Sequence, residues 1–508
     1  MELSTRSILR RARPGADWSL KHLLPILLLT IAAFLIMGYH PGLEDDAFYL
    51  AAIKHNLNPA LFPHDADFFR LQFQATIFDK LIALSIRITH LPIAWVSLLW
   101  QIAALFLLLH GCWRISRRCF ARPSAQWSAV TTIALLLTLP VSGTAINLAD
   151  QYLHPRTLAA AAVLAAIVAV LDCRMLRAGI LLLIAFAIHA IMAAFGISFC
   201  LFLWWMLNES STERTPIPIS AAGLIPLGWI FEPASDAWRK AASTRSFYFL
   251  GRWQWYEWVG VFAPLALLYA FEWQAQRKHE AHDDTYLRPL VLSLLYFGVF
   301  QTVVGLAVML PPGLERLRPF EPMRYLHLLY LLFFLILGGM IGDYVLRRRV
   351  YRWLLLFVPL GAGMFFAQRQ MFPATPHLEL PGMSTNNQWL QAFTWIRANT
   401  PADALFALDP HYIELPGEDY HGFRALAERS VLADYDKDAG MAARVPSLAP
   451  RWLKEVTAET GWVKFKASDF QRLKNEFGVT WVIVARTTDH AGLMCAYENQ
   501  QVSVCRIY

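Results

Sequence analysis

Apolar runs close to the twenty or so residues that a helix needs to cross a bilayer recur at 22–38, 92–113, 124–141, 157–172, 216–231, 256–272, 289–310, 324–342 and 353–370. The stretch 178–207 reads either as one long helix or as a hairpin of two short ones. Basic residues decide between them, because Lys and Arg in short loops collect on the cytoplasmic side. With a hairpin, five clusters share that side: Arg10, Arg11 and Arg13; Arg114, Arg117 and Arg118; Arg174 and Arg177; Arg277 and Lys278; and Arg347, Arg348 and Arg349. A single helix puts the last two outside. The segment FQATIFDKLIALSIRITH (73–90) would misplace the Arg114 cluster if it crossed, and its Asp79, Lys80 and Arg87 suit an amphipathic helix at the interface. The pattern therefore predicts about eleven spans, with the N-terminus cytoplasmic. The basic flank of the first apolar run matches that of a signal peptide. No small-x-small cleavage site follows it, so the run reads as a retained span.

Beyond residue 371 the pattern becomes that of a soluble domain. A Pro-rich stretch at 373–381 precedes STNNQWLQAFTWIRANTP, a helix with Ser384 or Thr385 available as cap and Pro401 beyond its end. A short strand ALFALD (404–409), helical stretches around 447–460 and 467–476, a buried strand VTWVIVA (479–485) and a closing pair, LMCAYE and VSVCRI, follow. About 130 residues suffice for one small α/β domain. No Gly-rich phosphate loop precedes a helix there, so no nucleotide site is expected. The predicted fold is a polytopic α-helical membrane domain, 1–371, with a long first outer loop at 39–91, and an extracytoplasmic α/β domain, 372–508.

Composition agrees. Of 508 residues 56% are hydrophobic and 16% charged, against roughly 25% charged in soluble domains. The net charge of +7 sits in short clusters beside apolar spans rather than in a stripe, which argues for membrane topology and against a nucleic-acid partner. Cys112, Cys119, Cys173 and Cys200 fall in or beside spans on the inner side, where thiols stay reduced. Cys495 and Cys505 flank AYENQQVSV on two strands that close around position 500, so they can face each other as a disulfide in an oxidising compartment. Two free buried thiols fit the same spacing.

The most concentrated charge is PGLEDDAFYL (41–50), with Glu44, Asp45 and Asp46 directly after the first span. One reading is structural: AFYLAAIKHNL forms a helix, and a carboxylate at its start caps free N–H groups and suits the dipole. One carboxylate suffices for that. The other reading gives a second carboxylate general-base work at the membrane edge, where desolvation and a neighbouring charge raise its pKa.

A charged pair in a long first outer loop, followed by an interfacial helix, many spans and a terminal outer domain, resembles the GT-C superfamily of membrane glycosyltransferases. EDDAFYLA (44–51) is similar to the DDA acidic motif of bacterial members that use polyprenyl-phosphate sugars. The architecture covers most of the chain, the motif some ten residues. The resemblance implies inverting transfer of a sugar from a lipid-phosphate donor at the outer membrane face, with Asp45 or Asp46 as base and Glu44 behind them. WIRANTPADALF and YENQQVSVCRIY are similar to the outer domain of uncharacterised bacterial proteins of this type.

Such chemistry needs a base for the acceptor hydroxyl and positive charge for the leaving phosphate. Arg156, Arg245, Arg252, Arg316, Arg318 and Arg324 lie on the predicted outer side. Arginine forks suit phosphate, although Arg at a span end also snorkels to lipid headgroups. Arg324, after PFEPM and before a span, leads. His154 in YLHPRT is a further binding candidate, as is His189, an ionisable residue amid AFAIHAIMA that a hairpin tip would simply expose. His64, Asp65 and Asp67 in FPHDADFF can join the triplet around a divalent cation. Their spacing matches no metal motif, and a turn before the interfacial helix also accounts for them. WQWYEW (253–258) suits sugar stacking or an aromatic belt.

The expected function is transfer of a sugar from a polyprenyl-phosphate donor to an acceptor that the sequence does not name, at the outer face of a bacterial inner membrane. The alternatives are a transporter or flippase of lipid-linked intermediates and a non-catalytic membrane scaffold. A transporter wants charges or broken helices at the midplane; here the acids and most arginines gather at one face, with His189 the exception.

Overall fold

The computed structural model describes residues 19–69, 74, 76–208, 233–278, 286–487 and 492–508. Helix α1 (Leu20–Met37) leads into a first loop that holds α2 (Asp46–Leu57) and α3 (Phe78–Thr89). Then come α4 (Ile93–Cys119), α5 (Pro123–Leu135), a two-stranded hairpin of β1 (Pro140–Val141) and β2 (Ile146–Asn147), α6 (Pro155–Leu171), α7 (Met175–Ile188) and α8 (Ala190–Asn208). After the short α9 (Asp236–Ser243) follow α10 (Trp255–Lys278), α11 (Leu287–Met309), α12 (Tyr325–Ile341) and α13 (Val350–Met371). Among the described residues six stretches are long and apolar enough to cross a membrane: α1, α4, α8, α11, Pro322–Leu346 around α12, and α13. Helices α6 and α7 are apolar but shorter.

One expectation changes. The apolar run 124–141 is helical only to Leu135, and the chain then turns into the β1–β2 hairpin, in which Pro140, with no N–H to join a helical ladder, opens β1. The segment 73–90 becomes helical at Phe78; Asp79 is buried and accepts a hydrogen bond from Asn56 of α2, while Leu84 and Ile88 face outward. The 178–207 stretch is two helices broken at His189, whose backbone is extended. The predicted 216–231 run and the Arg10, Arg11 and Arg13 cluster lie outside the described residues.

The C-terminal domain comprises α14 (Gln388–Asn399), β3 (Leu405–Ala407), α15 (Phe423–Ala427), β4 (Ser430–Val431), α16 (Lys437–Arg444), α17 (Ala449–Glu459), α18 (Ala467–Phe477), β5 (Trp481–Ala485), β6 (Leu493–Glu498) and β7 (Val502–Ile507). The sheet runs β4-β3-β5-β7-β6, with β3 parallel to β4 and β5 and the β5–β7 and β6–β7 pairs antiparallel. Period-two alternation sends Phe406, Ile483 and Val504 to one apolar face and Leu405, Val482 and Cys505 to the other. Asn387 caps α14 by accepting the N–H groups of Trp389 and Leu390, so neither Ser384 nor Thr385 is the cap. Cys495 and Cys505 oppose each other in register and are disulfide-bonded.

The two parts share a core. Ala439, Met441 and Ala442 of α16 and Trp452 of α17 belong to the same buried apolar cluster as the membrane helices. Tyr39 bridges to Leu378 and Leu43 to His421. Gly422 lies so close to α2 that a Cβ there would collide with Ala47. Buried charges reinforce this seam: Arg424 pairs with Asp65 of the first loop and, through 2.9 and 2.8 Å bonds, with Asp438 of α16. Lys54 donates to the Ala425 carbonyl at 2.7 Å and to Glu428 at 2.6 Å.

Candidate functional site

The acidic triplet is shaped by a tight turn. Gly42 takes φ +84°, a conformation glycine enters without steric cost. Its N–H donates to Asp46 Oδ2 at 2.7 Å. Asp46 is buried, and that burial pushes its carboxyl up to about 7 against the lowering influence of Gly42, Lys54 and His421. Its carboxylate therefore closes the turn and does not face the cavities. Glu44 also has positive φ, 51°, a sparsely populated state for a side chain of its size, and its N–H is held by the Tyr420 carbonyl at 2.9 Å. Asp45 occupies the N-cap position of α2, yet its side chain accepts no capping bond. It stays 36% exposed and opens into two cavities.

The first cavity, about 430 Å³, is polar. It lies between Glu44 and Asp45, the 145–152 turn, Arg245 to Tyr248, Glu321 and Arg324, and α16. The second, about 360 Å³, is mostly apolar and extends from Asp45 and Tyr49 past His154 to Ile188, Ile191, Pro319 and Phe320. Both are bounded by Asp45, Tyr49, Arg324, Met441 and Arg444, so they meet at the carboxylate of Asp45. Each falls in the size range of small-molecule sites.

Charge around the junction is dense. Lys437 bonds to Glu44, and its Nζ lies 3.6 Å from Asp45 Oδ1. His154 Nε2 lies 3.8 Å from Asp45 Oδ2. The other ring nitrogen, Nδ1, accepts the Arg156 N–H at 2.9 Å, so a neutral imidazole carries its proton on Nε2, toward Asp45. Burial, followed by Arg156, lowers the His154 pKa and favours that neutral form. Burial opposes ionisation of Asp45, but Lys437 first and then His154 outweigh it and hold the carboxyl well below its ordinary range. Arg156 donates to Asp150 at 2.5 and 2.6 Å. Glu321 pairs with Arg324 at 2.5 Å and Arg444 at 3.2 Å, and Arg245 with Asp436 at 2.8 Å. Nε and Nη1 of Arg156, Nε of Arg324 and Nε of Arg444, all buried at the cavities, nevertheless have no protein acceptor among the described residues. Buried donors are normally satisfied, so this set suits an anionic or polyhydroxylated ligand.

Of the residues singled out in the sequence, the fold thus brings together Glu44, Asp45, Arg156, Arg245, Arg324 and His154, and it sets Arg316 and His189 in the apolar cavity, with His189 6.3 Å between ring centroids from His154. Arg252 and Arg318 are not part of either lining; their guanidinium groups lie over the Phe249 ring at 4.6 and 5.1 Å. His64, Asp65 and Asp67 do not converge on a cation. Asp65 pairs with Arg424 and accepts the Val431 N–H, His64 Nε2 reaches the Asp403 carbonyl at 3.2 Å, and Asp67 approaches Arg451 at 4.0 Å. Among the described residues no group of three or more His, Cys, Asp or Glu side chains is arranged to hold a metal. Sequence reasoning missed Lys437 and Arg444. Their one signal is a seven-residue spacing that puts both on one face of a helix, in a stretch too short to stand out by hydropathy.

A family model described as a domain of unknown function, DUF6798, matches residues 387–446, the part of the C-terminal domain that contains α14 through α16. No curated protein matches the chain.

Proposed function

We propose that this protein is a GT-C-like membrane glycosyltransferase that moves a sugar from a polyprenyl-phosphate donor to an acceptor hydroxyl at the outer face of a bacterial inner membrane. The observation that carries the reading is the meeting of a polar and an apolar cavity at one exposed carboxylate flanked by arginines. A lipid-linked sugar has the same division: an apolar chain, a phosphate and a hydroxylated ring. In this reading the chain occupies the cavity toward Ile188 and Phe320, the phosphate meets Arg324 and Arg444, and the sugars occupy the polar chamber beside Asp45.

The chemistry is a single displacement with inversion. The bond from the anomeric carbon to the phosphate oxygen breaks, the bond to the acceptor oxygen forms, and the acceptor proton passes to Asp45. A carboxylate held at low pKa can serve, because the acceptor hydroxyl becomes strongly acidic only as its oxygen bonds to the electron-poor carbon. The departing phosphate gains the charge that the two guanidinium groups stabilise. The topology that suits this reading has about eleven spans, a cytoplasmic N-terminus and the outer domain outside.

The test is transfer of radiolabelled sugar from a panel of polyprenyl-phosphate sugars in membranes with the protein at matched expression. Loss of product on Asp45→Asn supports the reading; full transfer by that variant rejects it. The break between α7 and α8 at His189 favours a second reading, a transporter of lipid-linked intermediates. Movement of a fluorescent lipid-linked sugar across vesicles, unaffected by Asp45→Asn, would select it.

A further inference from the structure

We infer that the outer domain completes the candidate site: α16 delivers Lys437 as a positioning residue that clamps Glu44 and Asp45, and Arg444 to the junction of the two cavities. This gives the segment matched by the domain of unknown function a task in this chain, and it rests on the reading of Asp45 as the base. Lys437 is buried, with Glu44 bonded to it, Asp45 at 3.6 Å and Asp436 at 3.7 Å. A buried ammonium is costly unless carboxylates surround it. Here the leading two come from the first loop, so the cation ties that loop to the outer domain at the carboxylate that faces the cavities.

The helix that carries Lys437 is fixed at both ends. Asp434 accepts the Lys437 N–H at 2.5 Å and the Asp438 N–H at 3.2 Å, Asp438 binds Arg424, and Trp238 Nε1 of α9 donates to the Ala443 carbonyl at 2.8 Å. Seven residues after Lys437, two turns along the same face, Arg444 reaches Glu321 at 3.2 Å in the loop before α12. One short helix thus inserts two cations between two outer loops of the membrane domain. Without it, the only ion-pair partner left among the described residues is His154 at 3.8 Å for Asp45 and Arg324 for Glu321. Electrostatics agree: burial opposes both charges, yet Glu44 and Asp45 raise the Lys437 ammonium, and Lys437 is foremost among the groups that lower Asp45.

A readout independent of transfer is available, because a carbodiimide adds only to the protonated carboxyl. Full-length protein is labelled with dicyclohexylcarbodiimide across pH 4 to 8, and modification of Asp45 is quantified by peptide mass spectrometry. Lys437→Met should be labelled at Asp45 at least about tenfold faster than wild type at a fixed mildly acidic pH, with Lys437→Arg close to wild type. Equal labelling of wild type and Lys437→Met at every pH, with the Cys495–Cys505 disulfide intact, overturns the clamp. A second measurement leaves Lys437 unchanged: reductive methylation of its amine should be at least about fivefold faster in a Glu44→Gln, Asp45→Asn double variant, and equal rates reject the inference. If wild type transfers no sugar at all, the glycosyltransferase reading fails while the labelling still decides the clamp. If transfer depends on Asp45 but neither rate changes, the clamp alone fails.

Discussion

Asp45 and Asp46 adjoin in the chain but turn opposite ways: Asp46 bonds back to the Gly42 N–H at 2.7 Å, while Asp45 faces Lys437 at 3.6 Å and His154 at 3.8 Å. The same substitution therefore has different consequences at the two positions. Asparagine can still accept the Gly42 N–H but cannot take up a proton. Asp45→Asn is expected to lower transfer by about 10²- to 10⁴-fold, the usual worth of a general base, and also to lower the melting temperature, because Asp45 is one of the carboxylates that balance the buried Lys437. Asp46→Asn should retain most transfer, and Asp46→Ala should cost about 1–3 kcal/mol through the orphaned Gly42 N–H. Transfer assays and thermal unfolding of the purified variants separate these outcomes.

Glu379 joins two buried histidines, His40 at 2.7 Å and His421 at 3.0 Å, where the chain leaving α13 meets the first loop and the C-terminal domain. Burial opposes its charge, but His421 and the bonds from both rings lower its pKa to about 2, while Glu379 raises that of His421 against burial. A lowered carboxyl stabilises the fold above its ordinary value of 4.5 and loses that stability as pH falls toward 2. A raised histidine stabilises below its ordinary 6.5 and loses the effect as pH rises through its folded value. The two windows overlap between about 4.5 and 6.5, so Glu379→Gln should lower the melting temperature most near pH 5.5 and least at pH 8.5. A uniform loss across that range contradicts the linkage.

Arg424 is the only described cation bonded to both Asp65 and Asp438. Its removal strands two buried carboxylates, so Arg424→Met is expected to destabilise the protein by about 3–5 kcal/mol. The loosened seam should expose the linker around 373–381 to protease before the helices unfold. Timed proteolysis with mapping of the first cut checks this; an unchanged cleavage pattern would argue that apolar packing alone holds the domains together.

The Cys495–Cys505 bond closes a short hairpin at the edge of the outer sheet. Replacing both cysteines with serine should cost about 2–3 kcal/mol of local stability. Non-reducing peptide mapping of protein from its native membrane should recover the bonded pair, as the proposed placement in an oxidising outer compartment requires. Recovery of two free thiols, together with cytoplasmic accessibility of residues beyond 371, would remove the proposed topology and the outer face of the site.

Much of the architecture was legible because hydropathy is a local property. The apolar runs that became α1, α4, α11 and α13, the break near His189 and the closing strands with opposed cysteines all follow from periodicity over ten to twenty residues. The acidic triplet was legible as a candidate because charge beside an apolar run is conspicuous. Its inner division of labour was not, since the direction of each carboxylate depends on the left-handed Glu44 and on the Gly42 turn. Arg156 and Arg324 could be suspected from their position at span ends, but Arg252 and Arg318 looked the same, and only packing around Phe249 takes them away. Lys437 and Arg444 were invisible because their meaning lies in contacts with Glu44 and Glu321, far away in the chain. Short-range patterning determines which segments enter an apolar phase; which charges share a cavity is decided by long-range packing, where a buried ion persists only beside its partner.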